Sequence, residues 1–334
     1  MLSRRELLQA VVAGAAAAPI EAAPEAGWFD RPMRWGQLVF VEDDPGNYDP
    51  AFWLDYFRRT HCDAVCLGGG GYMAFYPTKI PFHHRSRWLK DGDAFGDLAK
   101  GCRKAGMIVV ARTDPHATYD DVAAAHPDWI AVDAKGNKRR HPANPERWIT
   151  CDLGPYNFEF MTAVTREIVE LYGVDGIFAN RWADKKMCYC RHCRENFKQA
   201  SGFELPLTND PADPARRAHI LRRERRLFDL IALWDSEIRK INPSARYIPN
   251  AGGGAGSPLD MKRLGQVSSL LFADRQARRG TMAPWANGKN AKEYRATLGR
   301  KPVGGIFSVG VEEPYRWKDS VQNPEELKIW VIDG

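Results

Sequence analysis

The sequence predicts an α/β protein, a (β/α)8 barrel of TIM type that is incomplete at its C-terminus, with about seven strands present. Three observations predict it. Short apolar runs alternate with helix-like stretches from Arg34 onward. Polar residues follow every run, which favours a barrel with one functional rim over an open sheet with a single switch point. The length, 334 residues, suffices for one large domain with a sizeable core.

The first strand is Arg34 to Val41, ending in Glu42-Asp43-Asp44, and Asp49-Pro50 starts the helix that runs to Thr60. The second strand, Asp63 to Leu67, opens into four glycines, Gly68 to Gly71, which allow close approach of a ligand. A long loop then carries His83 and His84. A helix from Asp93 to Ala105 precedes the third strand, Met107 to Ala111, which ends at Asp114 and His116. A basic, turn-rich excursion covers 130–149, with a hairpin turn at Asp133 to Gly136. Phe158 to Tyr172 is amphipathic and feeds the fourth strand, 174–179, which stops at Asn180-Arg181.

Beyond the Cys-rich insertion 183–200, a long helix spans 216–241. The fifth strand is Arg246 to Pro249, opening at Asn250, and the sixth is Ser269 to Ala273, ending in Asp274-Arg275. The seventh is Val303 to Val309, followed by Glu312-Glu313, and Pro324 to Ile332 starts another helix. The stop at Gly334 carries no turn signal, so the chain is expected to end before a barrel closes.

Residues 1–26 form a separate segment. Ser3-Arg4-Arg5 with an apolar, Ala-rich run to Ala18 is a twin-arginine export signal, and places the rest, 27–334, in the periplasm or outside the cell. That route carries folded proteins, so a metal could be loaded before export. No other stretch is apolar enough to span a membrane, so no membrane association is expected after signal removal. The net charge of +6 is modest, and the run Arg216 to Arg226 lacks interleaved aromatics. It therefore reads as a solvated helix face rather than a nucleic-acid site. An aromatic content of 11% suits sugar platforms and core packing alike.

Seven cysteines, an odd number, argue against a complete disulfide framework. Cys66 and Cys102 fall in a strand and a helix and read as buried apolar residues. Cys188, Cys190 and Cys193 are spaced to take three corners of a structural zinc tetrahedron, with Cys151 or His192 as the fourth ligand.

Asp175-Gly176-Ile177-Phe178, Asn180-Arg181-Trp182, the thiols with Phe197 behind them, Phe272 to Gln276 and the twin-arginine start together resemble hypothetical glycosyl hydrolase family 6. That family resembles the α-L-fucosidase and α-galactosidase barrels, and the thiol cluster is similar to that of glycoside hydrolase family 42 β-galactosidases. The resemblance implies a glycoside hydrolase acting on carbohydrate with two carboxyl groups, about 5–5.5 Å apart for retention and about 6.5–9.5 Å for inversion.

The α-galactosidase pattern places an acid/base Asp where Asp274 stands, and a nucleophilic Asp where this chain has Asn180. The β-galactosidase pattern places a nucleophilic Glu near Glu312 or Glu313, and an acid where this chain has Arg181. Asp274 and Glu312 are the expected pair, with Glu313, Asp114 and Asp184 in reserve. Glu42, His83, His84, Asp114, His116, Asn180, Arg181, Asp184, Asn250 and Arg275 are the expected substrate contacts. Arg181 suits a carboxylate-bearing sugar. A catalytically degenerate carbohydrate-binding barrel is the alternative, because each template is half met. Self-association into a homo-oligomer is left open.

Overall fold

The computed structural model describes residues 27–333 apart from 184–185, 252–256, 258, 277–281, 284, 309, 314–315 and 322. In chain order its elements are β1 (Trp35–Leu38), α1 (Pro50–Arg59), β2 (Ala64–Gly71), α2 (Ala94–Lys104), β3 (Ile108–Asp114), β4 (Ala117–Thr118), α3 (Asp120–Ala125), β5 (Trp148–Ile149), α4 (Met161–Tyr172) and β6 (Gly176–Ala179). They continue with α5 (Arg191–Ser201), α6 (Pro214–Ile241), β7 (Arg246–Pro249), α7 (Met261–Val267), β8 (Leu271–Asp274), α8 (Ala286–Leu298), β9 (Val303–Ile306), β10 (Gly310–Glu313), β11 (Arg316–Val321) and α9 (Pro324–Asp333).

The seven expected strands are present as β1, β2, β3, β6, β7, β8 and β9. Five pair in parallel in the order β1-β2-β3-β6-β7, and β8 pairs in parallel with β9. Among the described residues no ladder joins the two sheets into a ring.

Alternate residues of each strand go to opposite faces. Val65, Leu67, Val109, Ala111, Ile177, Tyr247 and Leu271 pack outward into the large core under the helices. Cys66, Val110, Phe178, Ile248 and Phe272 point the other way into a second, separate core. Trp35 of β1 and Ile306 of β9 join that inner core, and Trp35 meets the edge of Phe272 at 5.1 Å. Both faces are therefore covered, which is why the strands read as continuous apolar runs. Trp28 and Phe29 join the same core, and the Trp28 indole donates to the Ser244 carbonyl at 3.0 Å.

Local sequence explains the helix starts. Asp49, Asp93, Asp213 and Asp260 each accept a backbone N–H in the first turn of the helix that follows. Gly173 ends α4 in the left-handed region, with φ 57°.

Two segments differ from expectation. The four glycines are strand, not loop: β2 runs on to Gly71 and is buried throughout. At Gly71, φ is 131° and a Cβ would stand 2.5 Å from the Asp114 backbone, so only glycine lets β2 lie this close to the end of β3. Glu312 and Glu313 do not follow the seventh strand as a loop. They form β10, which pairs antiparallel with β11 through Glu312–Trp317 and Glu313–Arg316. Pro314, the loop marker in the sequence, lies outside the described residues.

Candidate active-site rim and thiol centre

The carboxyl ends of the parallel strands carry a hydrogen-bonded polar chain. The strand period of two puts Arg112 and Asp114 on one face of β3, where Arg112 Nε donates to Asp114 Oδ2 at 3.0 Å and Nη2 to Oδ1 at 3.3 Å. Asn180, just past β6, donates to Asp114 Oδ1 at 2.6 Å. Asn250, just past β7, donates to Asn180 Oδ1 at 3.0 Å and to Asp274 Oδ2 at 2.9 Å. Gln276 completes the chain, donating to Asp274 Oδ1 at 3.1 Å. Four strand ends, β3, β6, β7 and β8, are thus linked through side chains alone.

The two carboxylates of the chain differ in their surroundings. Burial by itself raises the pKa of Asp114, but the adjacent Arg112 charge and its hydrogen bonds win, helped by His116 and the Asn180 amide. The Asp114 carboxyl is held below its ordinary range. Asp274 is bonded only by neutral amides among its described partners.

His116 lies beside this pair, edge-on to Tyr72 and tilted against His141, with Nδ1 buried and unpartnered. Burial drops its pKa to about 4, so it is neutral at physiological pH. Arg181 is exposed and takes φ 52°, an unusual backbone for a non-glycine residue. Its charge bears on Tyr72, His116 and His141, so the guanidinium faces the β3 side of the rim.

Glu42, beyond β1, pairs with Arg147 and accepts from the Tyr119 hydroxyl at 3.2 Å. Arg147 also covers the Tyr72 ring at 4.3 Å. His84 borders this group, meeting Tyr119 edge-on and Asp121 Oδ2 at 2.9 Å. His83 lies elsewhere. It is buried between β2 and α4, accepting from Gly71 N at 3.3 Å and touching Thr78 and Tyr76, and burial lowers its pKa to about 3. Arg275 is exposed. Asp184 lies outside the described residues, as do the side chains of Glu312 and Glu313.

Sequence reasoning assigned no role to Arg112, Arg147, Tyr72 or Gln276. Arg112 was findable, since it precedes Asp114 by two in a strand. Arg147 was not, because it arrives from the 130–149 excursion, whose return path no local signal specifies.

The second constellation is the thiol lobe. Cys188 and Cys190 lie in the loop after β6, Cys193 in the first turn of α5, and Cys151 just after β5. All four are buried, and their sulfurs lie within 4.8 Å of one another. The Cys151–Cys193 and Cys190–Cys151 separations are 3.4 Å and 3.8 Å. Metal–sulfur bonds of about 2.3 Å in a tetrahedron give edges of about 3.8 Å, so the set fits a structural ion. Cys151, rather than His192, completes the set of four.

Mutual hydrogen bonds among the four thiols hold Cys188 and Cys190 below the ordinary thiol range and push Cys151 and Cys193 above it. Asn157 ties lobe to rim, since its amide donates to the carbonyls of Asp152 and Trp182, both at 3.0 Å. Of the three thiols outside the cluster, Cys66 and Cys102 are buried packing residues, and burial pushes both up to about 12. Among the described residues no helix is long and apolar enough to cross a membrane.

Residues 50–181 match the family described as Hypothetical glycosyl hydrolase 6. No curated protein matches the chain. Among solved structures, α-L-fucosidase isoenzyme 2 from Paenibacillus thiaminolyticus is 16% identical with a TM-score of 0.58, over 89% of this chain and 48% of that one. A β-galactosidase from the psychrophilic Marinomonas ef1 is 16% identical with a TM-score of 0.68, over 90% and 52%. A glycoside hydrolase family 42 β-galactosidase from G. stearothermophilus is 13% identical with a TM-score of 0.66, over 90% and 49%. The chain therefore resembles these glycosidases in fold and spans about half the length of each.

Proposed function

We propose that this chain is the barrel portion of an exported glycoside hydrolase. The observation that carries the reading is the side-chain chain from Arg112 through Asp114, Asn180 and Asn250 to Asp274, at the strand ends where barrel enzymes place their chemistry. The inner core, fed by β1, β2, β3, β6, β7, β8 and β9, supports a barrel.

Asp274 is the general acid/base. Its carboxyl is bonded by the Asn250 and Gln276 amides rather than by a guanidinium. Asp114, locked ionised by Arg112, positions Asn180 and is not itself an acid. Glu312, with Glu313 in reserve, is the nucleophile or the base that activates water. Asn180, Asn250 and Arg181 contact hydroxyls or a sugar carboxylate, and Glu42, Tyr72, Tyr119 and His116 line the β1–β3 side. The four thiols hold a structural zinc ion, acquired before twin-arginine export. They make a closed site that supports the β6 loop and takes no part in bond breaking.

A degenerate, sugar-binding barrel is the competing reading, favoured by Asn180-Arg181 where both glycosidase patterns have a carboxylate. Hydrolysis of a panel of aryl α- and β-fucosides, galactosides and uronides separates them. Turnover supports the enzyme and names the sugar. Sugar binding without turnover supports the degenerate barrel.

A further inference from the structure

Arg216, His219, Arg223 and Arg226 recur at intervals of three and four along α6, which places them on one face. That face is not solvated as the sequence suggested; all four are at least partly buried. It turns toward the thiol lobe, where His219, Arg222, Arg223 and Arg226 line a cavity together with Cys188 and Cys193. Arg223 already has a partner, Asp152, at 3.2 Å. Arg226 stacks over Phe158 at 3.4 Å and lies within electrostatic reach of Cys193 and Cys151. The free volume of the cavity is about 30 Å³, the space of one or two waters, so neither a sugar nor a phosphate fits. Concentrating cations here is unfavourable unless an anion faces them. Four thiolates around a divalent ion supply one, since the centre carries two net negative charges.

We propose that the basic face of α6, chiefly Arg226 and Arg222, is the counter-charge of the metal–thiolate centre and sets how tightly its ion is held. The inference rests on reading the four thiols as a metal site. It assigns to α6 a role that is neither nucleic-acid binding nor plain solubility. The arginines touch neither substrate nor ligand sulfur; they stabilise the centre through its charge.

The test is competition for zinc between the full chain and a chromophoric chelator, at low and at moderate salt. Arg226→Gln and Arg222→Gln are each expected to weaken zinc binding about ten-fold, the size of effect outer-shell partners exert. The loss is expected to shrink as salt rises. Arg226→Lys keeps the charge but loses the planar stack on Phe158, and is expected to hold zinc nearly as well as the parent. Arg225→Gln, on the exposed side of α6, is the control and should change nothing.

Unchanged affinity in Arg226→Gln overturns the inference. An equal loss in Arg226→Lys and Arg226→Gln also overturns it, since packing rather than charge would then be responsible. A parent chain that binds no zinc overturns the metal reading itself, an outcome separate from the other two.

Discussion

At the rim, the parallel register of β3, β6 and β7 spaces Asp114, Asn180 and Asn250 for mutual hydrogen bonds, and Asp274 joins them from β8 of the second sheet through the Asn250 amide. In the thiol lobe, Cys151 and the 188–193 segment come from two excursions that meet at Val132, whose carbonyl accepts from Tyr189 N at 2.9 Å and whose N–H donates to Cys188 Sγ at 3.4 Å. The rim is held by the sheet and by its own side chains. The lobe gathers four sulfurs that make only weak bonds to one another, so its geometry depends on what the sulfurs ligate. A regular sheet preorganises a polar site through its backbone, whereas on the metal-site reading a loop-built cluster leans on its ion.

This contrast breaks most visibly in the lobe. Cys190→Ser, or removal of metal with a chelator, is expected to lower the melting temperature by roughly 10 °C or more. The same treatment is expected to make 183–200 the first site of proteolysis. An unchanged melting temperature would mean that the lobe is self-supporting.

At the rim, Asp114→Ala leaves the Arg112 guanidinium buried without its carboxylate. The expected cost is about 3–5 kcal/mol by urea denaturation, with any bound metal retained. A cost below about 1 kcal/mol would show that Arg112 is solvated after all.

Acid should act between those two effects in size. His83 and His116 have folded pKa values of about 3 and about 4, both lowered by burial from 6.5. As pH falls below about 6.5 the unfolded chain binds protons that the folded chain does not, so stability falls from there toward pH 4. His83→Gln is expected to flatten part of that decline in melting temperature, measured between pH 7.5 and 4.5. An identical slope would remove His83 from the explanation.

The smallest effect is expected from Gly71→Ala, where the new Cβ meets the Asp114 backbone. A loss of about 1–3 kcal/mol would fit, with the carboxylate pair intact.

Much of this was readable in the residues. The seven parallel strands and their polar terminators follow from apolar runs buried on both faces, and Asn180, Asn250 and Asp274 sit where those runs end. The thiol spacing predicted the four-sulfur cluster, and only its fourth member needed the fold to decide for Cys151. What was not readable depends on long-range placement. The Gly68–Gly71 run looks like a loop because glycine weakens strands in general, while here close approach to β3 demands it. His83 looks like a rim residue from its loop, but Thr78, Tyr76 and Gly71 draw it into the core. The β10–β11 pairing carried no periodic signal, and the partnership of Glu42 with Arg147 links residues whose meeting no local pattern specifies.

The most direct measurement compares Asp274→Asn with Asp114→Asn on whichever aryl glycoside the parent chain cleaves. If Asp274 is the acid/base, Asp274→Asn melts like the parent yet loses about a thousand-fold or more in kcat/KM. Asp114→Asn then shows the reverse weighting, a lower melting temperature and a smaller loss of turnover. Full activity in a well-folded Asp274→Asn protein would contradict the assignment and move the chemistry to another carboxylate of the rim.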